Sequence, residues 1–462
     1  MNRPHSTVTR FTLLSAAFLL VLALLSLGCD NTVSDQSRYR AFVEEAAQVW
    51  QFQGAYLVAR GDSVLARGAV GCADRGANIP NRPDTKFLIG SMTKPFTAIA
   101  VLQLTDRGLI DLNATLDRYI DIYPAERAKR ITVHDLLCHR SGIPDLINNR
   151  EYAMKIHEHI EPEEIVAFFG NQPLEFEPGS RYTYSSSNYV LLGLIVEKVT
   201  GMPWAEYIDS AICQPSGMTN TGVFEDYAQR EDFAKGYAPD RTGQLVEVPP
   251  INPSAGYAAG SLASTVDDLF KLNQALYSTE LLPHVWIDSM LTPYSPTYGY
   301  GWLIDDFGGY RLTAHGGGVP GYVSTFQRWV DDRVCVVVLS NNVAVPTHAV
   351  ANGLAALALG EVCDEPRVKT PITIDSAGLT QYEGRYKTTN GEIRTIELYR
   401  GNLMSQLGYG TGKPILPEGQ DRFYFARDPM TTITFIRNSN GNITGHIVQQ
   451  AFDFDTAWIV TD

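Results

Sequence analysis

The sequence predicts an α/β fold: an antiparallel sheet covered by helices, an all-α insertion, and a small C-terminal all-β domain. Three observations predict it. Alternating strands at Gly54–Arg60 and Ser63–Val70 flank a Gly61-Asp62 turn, which makes an early hairpin. Helical patterns broken by Gly and Pro fill about Ser91 to Lys271, and a second strand pair then follows, Ser324–Val330 and Val334–Ser340 about Asp331-Asp332. Beyond Pro366–Pro371 the chain changes to short alternating segments. At 462 residues it is too long for one ordinary domain, so one large and one small domain are expected.

Taken in order, Arg3 and Arg10 precede an uncharged apolar run, Phe11–Gly28, and then Cys29. A charged start, an apolar middle and small residues at its end predict an export signal over 1–28 and a polar tether over 29–37. Ser26-Leu27-Gly28-Cys29 resembles the bacterial lipobox, although that motif prefers leucine where Ser26 stands. The resemblance implies lipid attachment at Cys29 and an extracytoplasmic, membrane-anchored protein; soluble secretion and an uncleaved apolar anchor are the alternatives. Arg38–Trp50 has helical spacing and Thr347–Leu359 closes the large domain, 38–362. A linker at 363–374 leads to a barrel-like domain at 375–462, with strands at Ile393–Tyr399, Leu403–Leu407, Arg422–Ala426, Thr431–Ile436 and Ile443–Gln449.

Apolar and charged fractions of 44% and 19% are those of a globular protein, and a net charge of −14 without a basic block argues against nucleic acid as a partner. Cys72, Cys138, Cys213, Cys335 and Cys363 form no C-x-x-C pair and fit no zinc spacing, so buried inert thiols are expected and no bridge is assigned. His157-Glu158-His159 lacks the helical spacing of a metalloprotease site, and His134 and His139 are read as structural.

Three stretches carry chemistry. In Phe87-Leu-Ile-Gly-Ser91-Met-Thr-Lys94-Pro95, the proline pins a helix start near Ser91 and places Lys94 one turn on, facing the same side. A serine hydroxyl needs a neighbouring base, and a lysine held in a dry site can be neutral enough to help. About one Ser-x-x-Lys is expected by chance in such a chain, so the motif alone says little. Tyr184, in Pro178-Gly-Ser-Arg-Tyr-Thr-Tyr184-Ser185-Ser186, can shuttle protons beside an ammonium, though a loop tyrosine is more often packing. His315-Gly316-Gly317-Gly318 lets a substrate backbone lie along a strand edge and turns an N–H toward an oxyanion; the bland reading is a glycine-rich turn.

In this order, the three resemble the serine β-lactamase-like family of class C β-lactamases, D-alanyl-D-alanine carboxypeptidases and family VIII esterases. Leu136-Leu-Cys-His-Arg-Ser-Gly142-Ile-Pro, Gly260-Ser-Leu-Ala-Ser264 and Tyr298-Gly-Tyr-Gly-Trp302 extend the resemblance over about Trp50 to Leu359. It implies a β-lactamase/transpeptidase-like fold with Ser91 as nucleophile, Lys94 as its activating partner and Tyr184 as proton carrier. It also implies an oxyanion hole from the N–H groups of Ser91 and Gly318, and substrate contacts at Ser186, His315, Gly316 and Gly317. No metal or cofactor is implied; the expected partner is a small acyl substrate, a peptide, ester or β-lactam, and the oligomeric state stays open.

Two departures bear on the substrate. Tyr184-Ser185-Ser186 replaces the family's Tyr-x-Asn, and His315 stands where a Lys-Thr-Gly lysine would, meeting a substrate carboxylate as a cation only if its pKa is raised. The leading expectation is D-alanyl-D-alanine carboxypeptidase-like action. Esterase or D-amino-acid peptidase activity comes next, then weak β-lactamase activity; a non-catalytic penicillin- or peptide-binding protein is the alternative of another class.

Overall fold

The computed structural model describes residues 36–460, apart from 364, 390, 409–411, 427 and 452. The expected export signal, Cys29 and the tether as far as residue 35 lie outside the described residues. Strands β1 (Gly54–Arg60), β2 (Ser63–Val70), β3 (Leu303–Phe307), β4 (Tyr310–Val319), β5 (Tyr322–Trp329) and β6 (Val334–Ser340) form one antiparallel sheet, ordered β2-β1-β6-β5-β4-β3. Early and late hairpins thus meet at its centre, where Leu57 pairs with Val337.

Both faces of the two central strands are covered, which is why β6 reads as an unbroken apolar run. Ala55, Leu57 and Ala59 join Cys335, Val337 and Leu339 in one core cluster, while Tyr56 and Val58 join Val334, Val336 and Val338 in the other. The helix Val266–Ala275 packs on the first face against β1 and β6, and helices α2 (Lys94–Asp106) and α3 (Ser186–Thr200) share its core cluster. Helix α1 (residues 36–50) and α5 (Thr347–Leu359) cover the second, where a methyl on Gly353 would stand 2.1 Å from the Phe42 ring. Each fully buried Val, Leu or Ile contributes roughly 1.5–3 kcal/mol.

The expected barrel is an eight-stranded closed one, from β7 (Gly384–Thr388) through β8 (Ile393–Tyr399), β9 (Asn402–Leu407), β10 (Lys413–Gly419), β11 (Arg422–Phe425), β12 (Asp428–Arg437) and β13 (Ile443–Gln450) to β14 (Asp453–Ile459). Closure by β7 against β14, with Tyr386 opposite Ile459, adds strands that local pattern does not show. Pro414 and Pro417 hide β10 in the sequence. In the large domain the β3–β4 hairpin is likewise additional: three glycines depress strand propensity, and pairing of Gly317 with Ser324 on β5 overrides them.

Ser91 lies in a 3₁₀ turn, Gly90–Thr93, and the α-helix proper starts at Lys94, because Pro95 fits its first turn. All five described cysteines are free thiols, and burial pushes those of Cys138, Cys213 and Cys335 up to about 12.

Candidate active site

The site forms where the Gly90–Thr93 turn is pressed against β4. Gly90 has φ of +52°, and a methyl on it would lie 2.8 Å from the Gly318 nitrogen; a methyl on Gly317 would lie 1.8 Å from the Ile89 carbonyl oxygen. Neither position admits a side chain, so backbone meets backbone and Ser91 is set beside Gly318. β3 pairs with β4 only as far as Ala314, so no strand of the sheet pairs with His315–Val319 on that edge among the described residues.

Lys94 has no exposed surface. Its Nζ donates to Ser91 Oγ at 2.9 Å and to the Ala259 carbonyl at 2.9 Å, and lies 3.5 Å from Ser186 Oγ. The carbonyl is available because the segment Pro253–Gly260, helix α4, breaks at Tyr257 (φ 37°, ψ −139°). The same break lets Ala258 accept from Thr97 Oγ1 at 2.7 Å. Such a backbone costs about 1–3 kcal/mol and persists only when its surroundings impose it; here the Tyr257 ring and Ala258 sit against Gly193 of α3. Burial lowers the Lys94 pKa to about 7, and the charge of Asp145 offsets part of that fall. Close to half of such amines are neutral near pH 7, the state in which one can take a hydroxyl proton.

Tyr184 reaches the same place from the loop before α3. Its ring lies 5.0 Å from Lys94 Nζ, and hydrogen bonding to Ser91 and Ser186 partly offsets the burial that raises its pKa. His139 brackets it: the His139 carbonyl accepts from Thr183 N–H at 3.0 Å, and its Nδ1 accepts from Ser185 N–H at 3.2 Å. The imidazole, itself at φ +57°, packs 4.3 Å from the Tyr184 ring. Sequence reading placed His139 in a family segment without seeing this role, because the contact spans some 45 residues of chain. Asp145 escaped it too: its Oδ1 accepts from Ser186 N–H at 2.9 Å, and burial raises its pKa.

Ser91, Tyr184, His315, Gly316, Gly317 and Gly318 all line one cavity of about 340 Å³. His315 differs from the cationic carboxylate contact considered above. Its Nδ1 lies 2.6 Å from the Gly316 carbonyl, which can only accept, so Nδ1 carries the proton and Nε2 accepts from Tyr298 O–H at 3.0 Å. Burial and the Lys94 charge push its pKa down to about 3, so the ring is neutral and both nitrogens are engaged. Gly317 is needed for contact with Ile89, whereas Gly316 leaves room on its other side for His348, with Nε2 3.0 Å from where a methyl would be.

Among the other histidines, His134 Nδ1 bonds Tyr300 O–H at 2.7 Å and His159 pairs with Glu161 at 3.1 Å. No group that could hold a metal ion occurs among the described residues.

A hydroxyl, an enclosed amine and a phenol joined about one cleft, on a helix-covered antiparallel sheet, define the serine β-lactamase and penicillin-binding class of fold. The chain belongs to the Beta-lactamase family, whose model matches residues 40–360; residues 368–461 match a second model, described as a domain of unknown function. It is 27% identical over 406 residues to penicillin-binding protein 4* of Bacillus subtilis, covering 82% of this chain and 89% of that one. It is 29% identical over 391 residues to esterase EstB of Burkholderia gladioli, covering 72% and 95%. Among solved structures, an octameric penicillin-binding protein homologue from Pyrococcus abyssi aligns with a TM-score of 0.66 at 27% identity, over 91% of this chain and 99% of that one. A D-amino acid amidase from Ochrobactrum anthropi aligns at 0.54 and 27% identity, over 65% and 91%. Members of the family are generally serine hydrolases.

Proposed function

We propose that the protein hydrolyses an amide or ester through an acyl-enzyme on Ser91. The observation that carries this reading is the 2.9 Å hydrogen bond from a fully enclosed Lys94 to Ser91 Oγ. Lys94, in its neutral form, takes the Ser91 proton. Ser91 Oγ then bonds to the carbonyl carbon, and the N–H groups of Ser91 and Gly318 meet the developing oxyanion. As the tetrahedral species collapses, Tyr184 gives its proton to the departing amine or alkoxide and regains one through Lys94. Water repeats the sequence on the acyl-enzyme.

A neutral His315 with both nitrogens engaged takes away the support for a required substrate carboxylate. D-amino-acid amidase or esterase chemistry therefore moves ahead of D-alanyl-D-alanine carboxypeptidase action, and β-lactamase activity stays last. One preparation assayed on D-amino-acid amides, p-nitrophenyl esters, D-alanyl-D-alanine peptides and nitrocefin tests this. The amides or esters are expected to show the highest kcat/KM; preference for the free dipeptide carboxylate reverses the order, and no turnover despite covalent labelling means a binding protein.

His139→Ala is expected to lower kcat by about 10²-fold with a smaller change in KM, because the loop carrying Tyr184 loses the Nδ1 acceptor of Ser185 N–H and the imidazole packed on the Tyr184 ring, while the backbone bond to Thr183 stays. His139→Asn, which keeps an acceptor and tolerates positive φ, should recover part of the loss; equal activity of the alanine variant and wild type would remove the positioning role.

We also propose that the chain is an extracytoplasmic lipoprotein attached through Cys29, on the strength of the lipobox-like segment. Cys29→Ala is expected to move the protein from the membrane to the soluble fraction, and retention would point to an uncleaved anchor.

A further inference from the structure

Helix α3 starts at Ser186, just after the loop that carries Tyr184, and its N-cap residue, Ser185, makes no side-chain capping bond. The cap comes from elsewhere in the chain. Asp145 Oδ1 accepts from Ser186 N–H at 2.9 Å, which sets a carboxylate at the positive end of a 15-residue helix. The segment around Asp145 is fastened to the same turn: Ser187 Oγ donates to the Pro144 carbonyl at 2.7 Å and accepts from Leu146 N–H at 3.0 Å. Asp145 Oδ1 also meets Ile147 N–H at 3.4 Å. From this turn Ser186 Oγ comes to 3.5 Å from Lys94 Nζ and hydrogen-bonds with Tyr184. Ser186 is therefore the single residue between the carboxylate and both proton-handling groups.

Lys94 is fully enclosed, and rings crowd it: Nζ lies 5.0 Å from the Tyr184 ring and 5.7 Å from that of Tyr189. Burial and the Lys94 charge keep His139 and His315 neutral. Asp145 supplies the negative charge that acts on Lys94, and the effect is mutual. Burial raises the Asp145 pKa and Glu175 repels it, while the Ser186 N–H and Lys94 oppose that rise. The Tyr152 phenol stays protonated, pushed up to about 12 by burial and by Asp145.

We propose that Asp145 is a positioning residue for acylation with two separable duties: its oxygen holds the turn that sets Ser186 and Tyr184, and its negative charge balances Lys94 across Ser186. This rests on Lys94 acting as the base toward Ser91. The two duties predict different losses. Asparagine caps a helix about as well as aspartate, so Asp145→Asn keeps the first duty and removes the second. Without the charge, the ammonium has less support in a dry site and gives up its proton at lower pH. Alanine removes both duties.

The test follows the rate at which a fluorescent fluorophosphonate labels the full chain between about pH 5 and pH 9. Wild-type labelling should rise with a midpoint near pH 7. Asp145→Asn should move that midpoint down by about one pH unit, with a plateau within about threefold of wild type. Asp145→Ala should show the same displacement and a plateau about tenfold lower, the worth of one hydrogen bond. Melting curves show which variants fold, and the isosteric asparagine variant carries the test if alanine does not. A midpoint shared by wild type and the asparagine variant, or one that moves up, means a helix cap alone and overturns the proposal with the hydrolase reading intact. So does an asparagine plateau as low as that of alanine. No labelling of wild type at any pH overturns the proposal and the hydrolase reading together.

Discussion

Ser91→Ala loses covalent labelling by a fluorophosphonate or penicillin probe, and its kcat/KM for the best substrate of the panel falls by at least about 10³-fold. The effect is this large because no second hydroxyl can take over. Ser186 Oγ is 3.5 Å from Lys94 Nζ, but its residue opens α3 across the cleft from the Gly318 edge. An acyl group on Ser186 would lack the oxyanion contacts proposed for the N–H groups of Ser91 and Gly318. Gel fluorescence after labelling, with a melting curve as the folding control, reads the result. Equal labelling of the variant would place the nucleophile elsewhere.

Lys94→Met is expected to slow acylation by about 10³-fold and, at the same time, to make the protein harder to unfold. Both effects come from burial. An amine whose pKa is 10.5 in water and about 7 in the fold is held at a cost wherever the unfolded chain would be protonated. That cost is fully present below pH 7. It is relieved as pH climbs toward 10.5, because over this interval the unfolded state binds the extra proton. Methionine removes the cost but leaves the Ala259 carbonyl unpaired, so a net gain of about 1–3 kcal/mol is expected at neutral pH. Wild-type acylation should rise through about pH 7 and then level off, since the free amine is the active form. Denaturant titration of both proteins at pH 6 and pH 9 checks the stability half: wild type should gain on the variant as pH rises. A stability gap between the two that does not move with pH would show that Lys94 is not held as a destabilised amine.

Much of this was legible in the sequence where short-range chemistry decides the outcome. Pro95 marks the start of α2, Gly61-Asp62 marks the first hairpin, and Val334–Ser340 reads as buried strand because its two faces feed two cores. The gathering of Ser91, Lys94 and Tyr184 was legible only through resemblance, since spacing cannot say that residue 184 returns to residue 91. What stayed hidden depends on contacts remote along the chain. The charge of His315 is decided by burial and by the nearby Lys94, and the placement of Tyr184 by His139.

The contact of Gly90 with Gly318 has one more consequence. Because the proposed anion-stabilising corner is built from main chain, it asks of its neighbours only that Gly90 and Gly317 carry no side chain. Substitutions along the rest of the cleft can then redirect which bond is cut without rebuilding the part that makes cutting possible. A scaffold of that kind allows its chemistry and its selectivity to diverge separately, which offers a physical reason why chains so alike in backbone carry names as different as penicillin-binding protein, esterase and amidase.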